Sequence, residues 1–311
     1  MAVDTDKIQE YYLQVREYLD TLLVGQDKAK DVITAAMLCD KNSHILLMGM
    51  PGTGKSTISN NIAKNFESKK ISITSDLLPS DILNAIINKQ DILQVLQLEE
   101  LNRASGKVLS VLIELMADNK ITCESGEVGF SDFYVIATQN DSEISGIFDV
   151  PVAVYDRFDV SINMADLSFE ELEKVLFEYK AVVEKANFDL KHIVDFTSKA
   201  VADFVFDKED RRVIMEATRE LDTKTISNQR LFASSNIRGH QFAMKMAALH
   251  AYVAGRKFIM PDDIADYINN IYRHRINQFL LKMNDERATQ AMEEIRKKVL
   301  GIERDNVAVK K

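Results

Sequence analysis

A stretch near residue 50 has the residue types and spacing of a phosphate-binding loop. Residues 49–56 read G-M-P-G-T-G-K-S and match G-x-x-x-x-G-K-[ST] at every fixed position. Glycines let the backbone turn so that successive N–H groups point at an anion, Lys55 adds a positive charge, and the Ser56 hydroxyl can bind Mg²⁺. The motif therefore predicts a site for the phosphates of ATP with Mg²⁺; a merely flexible glycine loop is the less favoured alternative.

Two carboxylates follow a later candidate strand at residues 94–98. Open α/β sheets bind their ligands at the carboxyl ends of the strands, and Glu99 and Glu100 come directly after this one. We expect Glu99 to bind Mg²⁺ together with Ser56, and Glu100 to orient and deprotonate a water. Paired acids after a strand are more often a surface feature, but their position after a P-loop favours the catalytic role.

Three further polar residues complete a candidate set for phosphoryl transfer. Asn140 ends the candidate strand that begins at Tyr134, so its amide can position the attacking water. Arg157 precedes the last strand, where it can hardly reach the γ-phosphate of its own chain but can reach that of a neighbour as an arginine finger. Arg238 begins a helix of the second half, and we expect that helix to close over the nucleotide. Each arginine alone fits a surface ion pair; their order along the chain favours catalysis.

The elements that must position these residues alternate between strands and helices in the first half. Residues 44–48 before the P-loop predict a buried strand, and residues 57–66 after it a helix. Residues 105–119 predict a crossover helix, and residues 121–133, with Gly126 near the centre, a hairpin. The other predicted strands are residues 71–74, 94–98, 134–138 and 160–162. This alternation predicts a parallel sheet covered on both faces.

The second half has the pattern of an all-helical domain. Ser168 and Glu171 form a capping box, and helical periodicity follows to Ala186. We expect a loop at residues 222–236 and a frayed tail at 301–311. The predicted helices are residues 190–205, 211–221, 237–254 and 261–283, besides an opening amphipathic helix from Ile8 to Leu23. The predicted domains are residues 1–164, an α/β nucleotide-binding core, and residues 165–311, a helical lid with a C-terminal extension.

Composition limits the classes of partner. The 311 residues are 46% hydrophobic with a net charge of -9, and residues 1–164 carry 14 basic against 24 acidic side chains. This acidity disfavours binding to nucleic acid. No apolar run is long enough for a membrane span, so we expect a cytoplasmic protein. Cys39 and Cys123 predict buried thiols, and the histidines lack ligand spacing, so Mg²⁺ is the only metal expected.

Several sequence blocks resemble the MoxR family of AAA+ ATPases, over about Val24 to Arg275. Two of them, Ser-Asp-Leu-Leu-Pro-Ser-Asp at 75–81 and Glu-Leu-Asn-Arg-Ala at 100–104, are nearly diagnostic for that family. The other matching blocks are residues 24–26, 44–47, 135–140, 156–158, 258–264 and 273–275. The resemblance implies a five-stranded parallel AAA+ core followed by a helical lid.

The resemblance also implies ATP hydrolysis in a ring of identical copies, usually a hexamer. It implies chaperone-like remodelling or activation of a protein partner, often one with a von Willebrand factor A domain. It places residues 24–26 by the adenine. The residues expected to contact the nucleotide are Val24, Gly25, Gly49, Pro51, Gly52, Thr53, Gly54, Lys55, Ser56 and Thr57.

Two departures from the family pattern leave alternatives open. The first acid of the pair is Glu99 where the family has aspartate, and only twelve residues separate Asp81 from residue 94, where the family usually has a β-hairpin insert. Both favour a scaffold that assembles on ATP but hydrolyses it slowly, as the main alternative to a remodelling ATPase. A nucleic-acid translocase is less favoured because of the acidic first half, and a monomeric small-molecule kinase would have no use for Arg157.

Overall fold

The structure is a computed structural model that describes residues 3–123, 126–140, 150–179, 185–232 and 236–304. Its first part is an α/β unit whose strands alternate with helices along the chain. The strands are β1 Ile45–Gly49, β2 Ser68–Ser72, β3 Val95–Glu99, β4 Lys120–Cys123, β5 Gly126–Gly129, β6 Tyr134–Asn140 and β7 Val160–Asn163. The helices are α1 Thr5–Leu22, α2 Asp27–Cys39, α3 Lys55–Ala63, α4 Pro79–Ile86, α5 Gly106–Asp118 and α6 Val152–Tyr155, with 3₁₀ turns at Ile87–Lys89 and Leu101–Arg103.

Five strands form one parallel sheet in the order β2-β3-β6-β1-β7. Side chains alternate between its faces: Ile45 and Leu47 belong to one apolar cluster and Leu46 to another. The predicted parallel sheet, covered on both faces, is therefore confirmed. Parallel strands end at the same edge, so the carboxyl ends of β1, β3 and β6 lie side by side.

Most predicted elements of this part are confirmed with small shifts in their ends. The hairpin is β4 paired with β5, and the crossover helix is α5. The strand predicted at 71–74 lies instead at Ser68–Ser72, because an edge strand is polar and its first residues carry no apolar signal. Between Asp81 and β3 the chain forms most of α4 and a 3₁₀ turn, without a β-hairpin in that fully described segment.

The part after Met164 is mainly helical. Its helices are α7 Phe169–Phe177, α8 Leu190–Ala202, α9 Lys208–Asp222, α10 Ile237–Val253, α11 Pro261–Ala265, α12 Ile268–Tyr272 and α13 Gln278–Leu300, with a 3₁₀ turn at Arg273–Arg275. The capping box at the start of α7 is confirmed, since Ser168 Oγ accepts from the Glu171 N–H and the Glu171 carboxylate accepts from the Ser168 N–H. The predicted periodicity reaches Ala186 across residues 180–184, which lie outside the described ranges.

Three predictions for this part are wrong in detail. The helix predicted at 261–283 is broken into α11, α12, a 3₁₀ turn and the start of α13. A single helix cannot bury Tyr272, His274, Arg275 and Ile276 on one face, and the break lets all four point inward. The loop predicted at 222–236 contains a two-residue hairpin, β8 Thr225–Ile226 with β9 Gln229–Arg230, turned by two residues at positive φ.

The third correction concerns the tail predicted to be frayed. Arg304 is packed rather than frayed: its side chain is 4% exposed and pairs with Asp210 at 2.6 Å. The rest of that prediction falls on residues 305–311, outside the described part. Cys39 is a buried free thiol as predicted, whereas the side chain of Cys123 lies outside what the structure describes.

One large apolar cluster joins the two parts of the chain. It contains residues of α1, α2 and the sheet face that carries Ile45 and Leu47. Residues of α8, α10 and α13 belong to the same cluster. Helix α2 packs against both α8 and α10. None of the helices in the described ranges is long and apolar enough to cross a membrane. The expected division at residue 164 stays a prediction.

Candidate nucleotide-binding site

The P-loop connects the carboxyl end of β1 to the first turn of α3, as the sequence predicted. Gly49, Gly52 and Gly54 all have positive φ, which glycine adopts at little cost. A Cβ on Gly49 would lie 2.6 Å from the Met164 carbonyl oxygen, and one on Gly54 would lie 2.4 Å from Leu23 Cδ1. Around Gly52 no described residue other than its chain neighbours lies within 4 Å of the Cβ position. The loop is therefore close-packed underneath and open above, which fits a phosphate group.

The cationic group of the loop lies over the same turn. Lys55 begins α3 and is buried, and its Nζ donates to the carbonyl oxygens of Gly49 at 2.8 Å and Met50 at 2.7 Å. The N-cap residue of α3 is Gly54, which has no side chain to cap the helix, so the positive end of the helix dipole lies at the loop. An ammonium group and a helix N-terminus on one loop form an anion site.

Replacing Lys55 should weaken ATP binding without unfolding the chain. We expect Lys55→Ala to bind ATP at least tenfold more weakly, about 1.4 kcal/mol or more, because one charge-assisted contact to phosphate is lost. Isothermal titration calorimetry measures the affinity, and circular dichroism checks the fold. Lys64→Ala is the matched control, since Lys64 lies at the other end of the same helix. Unchanged affinity in Lys55→Ala would contradict the phosphate site.

Glu99 and Ser56 lie within reach of each other, as a shared metal site requires. Partial burial opposes ionisation of Glu99, but hydrogen bonds from Lys70, Ser56 and Ser72 and the charge of Lys70 outweigh it and hold the pKa of this carboxyl below its usual value. The Lys70 Nζ lies 2.7 Å from Glu99 Oε1. An ionised carboxylate beside a hydroxyl is a donor set that suits Mg²⁺. Lys70 was not predicted, because the sequence around an edge strand gives no sign of its cross-strand partner.

The length of Glu99 leads to a prediction about rate. Mg²⁺ demands near-octahedral geometry, and the extra methylene lets the carboxylate extend to Lys70. Glu99→Asp should therefore raise the hydrolysis rate several-fold, or about 1 kcal/mol of barrier. Steady-state phosphate release at saturating Mg²⁺ is the measurement. Lys70→Met separates the effect of the ion pair from that of chain length. A slower Glu99→Asp enzyme would contradict this assignment.

Glu100 has an unusual backbone conformation at the end of β3. Its φ of 60° is left-handed, which is costly for a residue other than glycine. The Glu100 N–H donates to Thr138 Oγ1 at 3.2 Å, and its carboxylate pairs with Arg103 Nε at 2.6 Å. The contacts hold a half-exposed acid at the carboxyl edge of the sheet, where an acid can act on a bound water.

Asn140 lies beside the P-loop, because β6 is a central strand. The strand register places it opposite Gly49, the first residue of the loop. Asn102 Nδ2 donates to the Asn140 carbonyl oxygen at 2.9 Å, which ties the turn after β3 to the end of β6. Glu100 thus directly follows β3 and Asn140 ends the neighbouring strand β6, both at the carboxyl edge of the sheet, which carries the P-loop. Asn102 belongs to the Glu-Leu-Asn-Arg-Ala sequence at 100–104, which by itself does not predict this contact.

The turn between α1 and α2 forms one wall of this edge. Leu23 touches the P-loop at Gly54, and Gln26 Oε1 accepts from the Ala165 N–H at 3.0 Å. Gly25 has a φ of 65°, and a Cβ there would lie 2.1 Å from Glu171 Oε1. Val24 and Gly25 are therefore held between the P-loop and the start of α7, which suits the adenine contact expected of them.

Arg157 lies at the opposite edge of the sheet from the P-loop. It precedes β7, whose first residue, Val160, is in register with Ile45 at the start of β1. The P-loop begins at the end of β1, about 13 Å further on at ~3.3 Å per residue. Arg157 therefore lies at the end of the sheet away from the P-loop of its own chain, and its action on a neighbouring copy stays a prediction.

The expectation that Arg238 closes over the nucleotide is not met within one chain. Arg238 borders a cavity of about 210 Å³ together with Asp40, His44 and Asp159, and His44 directly precedes β1. Helix α10 packs on α1 and α2 rather than above the P-loop. A helical pattern shows which face of α10 is apolar but not where that face packs, which is why the sequence misplaced Arg238.

Comparisons with known proteins agree with this architecture. Residues 44–160 match the family described as ATPase family associated with various cellular activities (AAA), and residues 224–296 match the AAA lid domain. A crystal structure of a putative ATPase from Cytophaga hutchinsonii superposes with a TM-score of 0.75 at 23% identity, covering 97% of this chain and 98% of that one. At 23% identity, this superposition shows that the two proteins share a fold.

Two proteins with similar sequences indicate which family of AAA+ ATPases includes this chain. The uncharacterized protein YeaC of Bacillus subtilis is 30% identical over 270 residues, which is 80% of this chain and 81% of YeaC. Chaperone MoxR1 of Mycobacterium tuberculosis is 28% identical over 305 residues, which is 89% of this chain and 77% of MoxR1. With the P-loop, the acids after β3 and the helical lid in place, this chain belongs to the MoxR family of AAA+ ATPases.

Proposed function

We propose that this ATPase forms a ring of identical copies, a hexamer as in its family. It hydrolyses ATP with Mg²⁺ at sites completed between neighbouring copies, and it remodels a protein partner. One observation supports it above the others. The P-loop lies at the carboxyl edge of the sheet, whereas Arg157 and Arg238 lie at the amino edge. A second copy that presents its amino edge to this P-loop would supply both guanidinium groups.

The residues of such a site divide into two sets with different tasks. Ser56 and Glu99 would hold Mg²⁺, which when bound offsets the negative charge of the phosphates. Glu100 accepts a proton from the attacking water, and the Asn140 amide orients that water. Arg157 of the neighbouring copy stabilises the charge that develops on the transferred phosphoryl group. The remaining nucleotide contacts proposed are the P-loop residues with Val24 and Gly25.

A protein partner is favoured over nucleic acid. A relative is named a chaperone, and the acidic first half of this chain repels polyanions. A protein with a von Willebrand factor A domain is the partner class we propose.

A variant that binds ATP without hydrolysing it is a suitable bait for capturing this partner. Glu100→Gln, held with ATP, should recover the partner from a cell extract, and Lys55→Ala should not, since it lacks tight ATP binding. Recovery of nucleic acid, or equal recovery by both baits, would contradict the proposal.

A slow scaffold remains the second candidate, because Lys70 pairs with the acid that should face Mg²⁺. An assembled protein that binds ATP but releases phosphate no faster than Glu100→Gln would favour the scaffold.

A further inference from the structure

The 3₁₀ turn at Arg273–Arg275 joins the helical part of the chain to the segment that carries Arg157. Arg275 is fully buried, although a guanidinium group is costly to remove from water. Its Nη2 donates to the Phe158 carbonyl oxygen at 2.7 Å, and its Nε lies 3.2 Å from Asp156 Oδ1. Its Nη1 donates to the Asp159 carbonyl oxygen at 3.3 Å. One planar group thus holds the residues on both sides of Arg157.

The neighbouring histidine holds the same segment. His274 Nε2 lies 2.8 Å from the Phe158 carbonyl oxygen and Nδ1 lies 2.9 Å from Ser161 Oγ. Burial, with the adjacent Arg275 charge, keeps the pKa of His274 well below its usual value, so the ring is neutral. A neutral ring that donates from Nε2 to Phe158 accepts from the Ser161 hydroxyl at Nδ1. The Nε2 contact adds to the hold on the Phe158 carbonyl, and the Nδ1 contact fixes the orientation of the ring.

Arg275 also contacts the helix that carries Arg238. A Cβ on Gly239 would lie 3.4 Å from Arg275 Cζ and 3.0 Å from Tyr272 Cε1, so α10 approaches this turn closely at Gly239. Gly239 is the residue after Arg238. Arg275 therefore contacts both segments that carry the arginines assigned by the proposed function to a neighbouring site.

Few contacts fix the position of Arg157 other than those made by its neighbours in the segment 156–159. Its N–H donates to the Val154 carbonyl oxygen at 3.1 Å, and its Nε is buried without a hydrogen-bond partner in the described part of the chain. No acceptor in the described part of the chain therefore fixes the direction of this Nε. The backbone around Arg157 must then set where the guanidinium points.

We propose that Arg275 is a positioning residue for Arg157, fixing the segment 156–159 so that the finger is held ready for the nucleotide of a neighbouring copy. The proposal rests on the proposed function, in which Arg157 acts on a neighbour. The planar fork of arginine satisfies several acceptors at once, whereas lysine is a point charge. Lysine at this position keeps the charge but loses that geometry.

The test compares turnover with nucleotide binding. A misplacement of about 1 Å can cost about 10²-fold, so Arg275→Lys should lower kcat by about that factor. ATP affinity should be unchanged, because the P-loop lies at the other edge of the sheet. Asp156→Asn, which removes the charged acceptor at a partly exposed position, should lower kcat less and guards against misfolding of the lysine variant. Normal kcat in both folded variants would overturn the proposal.

Arg304→Lys is the matched structural control. Arg304 is also buried and pairs with Asp210 at 2.6 Å and Asp207 at 3.1 Å, away from the segment 156–159. It should lower the melting temperature without lowering kcat. If Arg304→Lys loses as much kcat as Arg275→Lys at equal loss of melting temperature, Arg275 is merely structural and the proposal fails.

Mixed assemblies locate the defect. Lys55→Ala subunits carry an intact finger, so they should restore activity to Arg275→Lys subunits, whereas Arg157→Ala subunits should not. If Lys55→Ala rescues Arg157→Ala but not Arg275→Lys, the positioning role is wrong while the proposed function stands. If it rescues neither, action on a neighbouring copy is itself wrong.

Discussion

Arg157→Ala should bind ATP normally and hydrolyse almost none of it. Losing an arginine finger costs about 10³- to 10⁵-fold in turnover, since the charge developing on the phosphoryl group loses its counter-charge. Affinity is unaffected because Arg157 lies across the sheet from its own P-loop. Calorimetric titration with a non-hydrolysable analogue gives the affinity, and phosphate release gives the rate.

Arg212→Ala is the matched control for this loss. Arg212 is a partly exposed arginine on α9 that pairs with Glu209 and Glu216, away from the sheet edges. Its removal should change neither affinity nor rate. A fully active Arg157→Ala, or one that loses affinity and rate together, would contradict the assignment of Arg157.

Glu100→Gln should stop hydrolysis and leave ATP bound. General base catalysis contributes about 10²- to 10⁴-fold, and the amide cannot accept the proton of the attacking water. The substitution keeps the size of the side chain, so the left-handed backbone and the bond to Thr138 should be retained. Single-turnover phosphate release measures the loss, and bound nucleotide recovered after gel filtration shows that ATP stays.

Glu216→Gln makes the same change at an exposed acid on α9 and should leave the rate unchanged. Turnover that persists in Glu100→Gln would mean that another group activates the water. Glu99 would then be the first residue to test, and the roles of the two neighbouring acids would have to be exchanged.

The P-loop edge was predictable because its signals are local. A strand, a glycine loop and a helix follow one another within residues 45–63, and Glu99 and Glu100 follow a strand whose neighbours in the sheet are implied by the parallel pattern. The placement of Asn140 opposite Gly49 required only that β6 be central, which the strand order confirms. Chemistry at the ends of parallel strands can thus be deduced from the order of the strands.

Features that depend on tertiary packing were not predictable in the same way. Helix α2 was missed because it is buried nearly all round and lacks an amphipathic pattern. Arg238 was misplaced because periodicity does not show where α10 docks. The contacts of Lys70 with Glu99 and of Arg275 with Asp156 join residues far apart in sequence. Such pairs become visible only when the fold brings them together.

The most direct test of a site shared between copies is the activity of a mixture of two inactive variants. Arg157→Ala supplies an intact P-loop and Lys55→Ala an intact arginine finger. The site is therefore complete wherever the P-loop of an Arg157→Ala subunit faces the finger of a Lys55→Ala subunit. Phosphate release should be near zero for each variant alone, rise on mixing, and be highest at equal amounts. Co-assembly is checked by pull-down of differently tagged subunits. A co-assembled mixture that stays as inactive as its components would contradict the shared site.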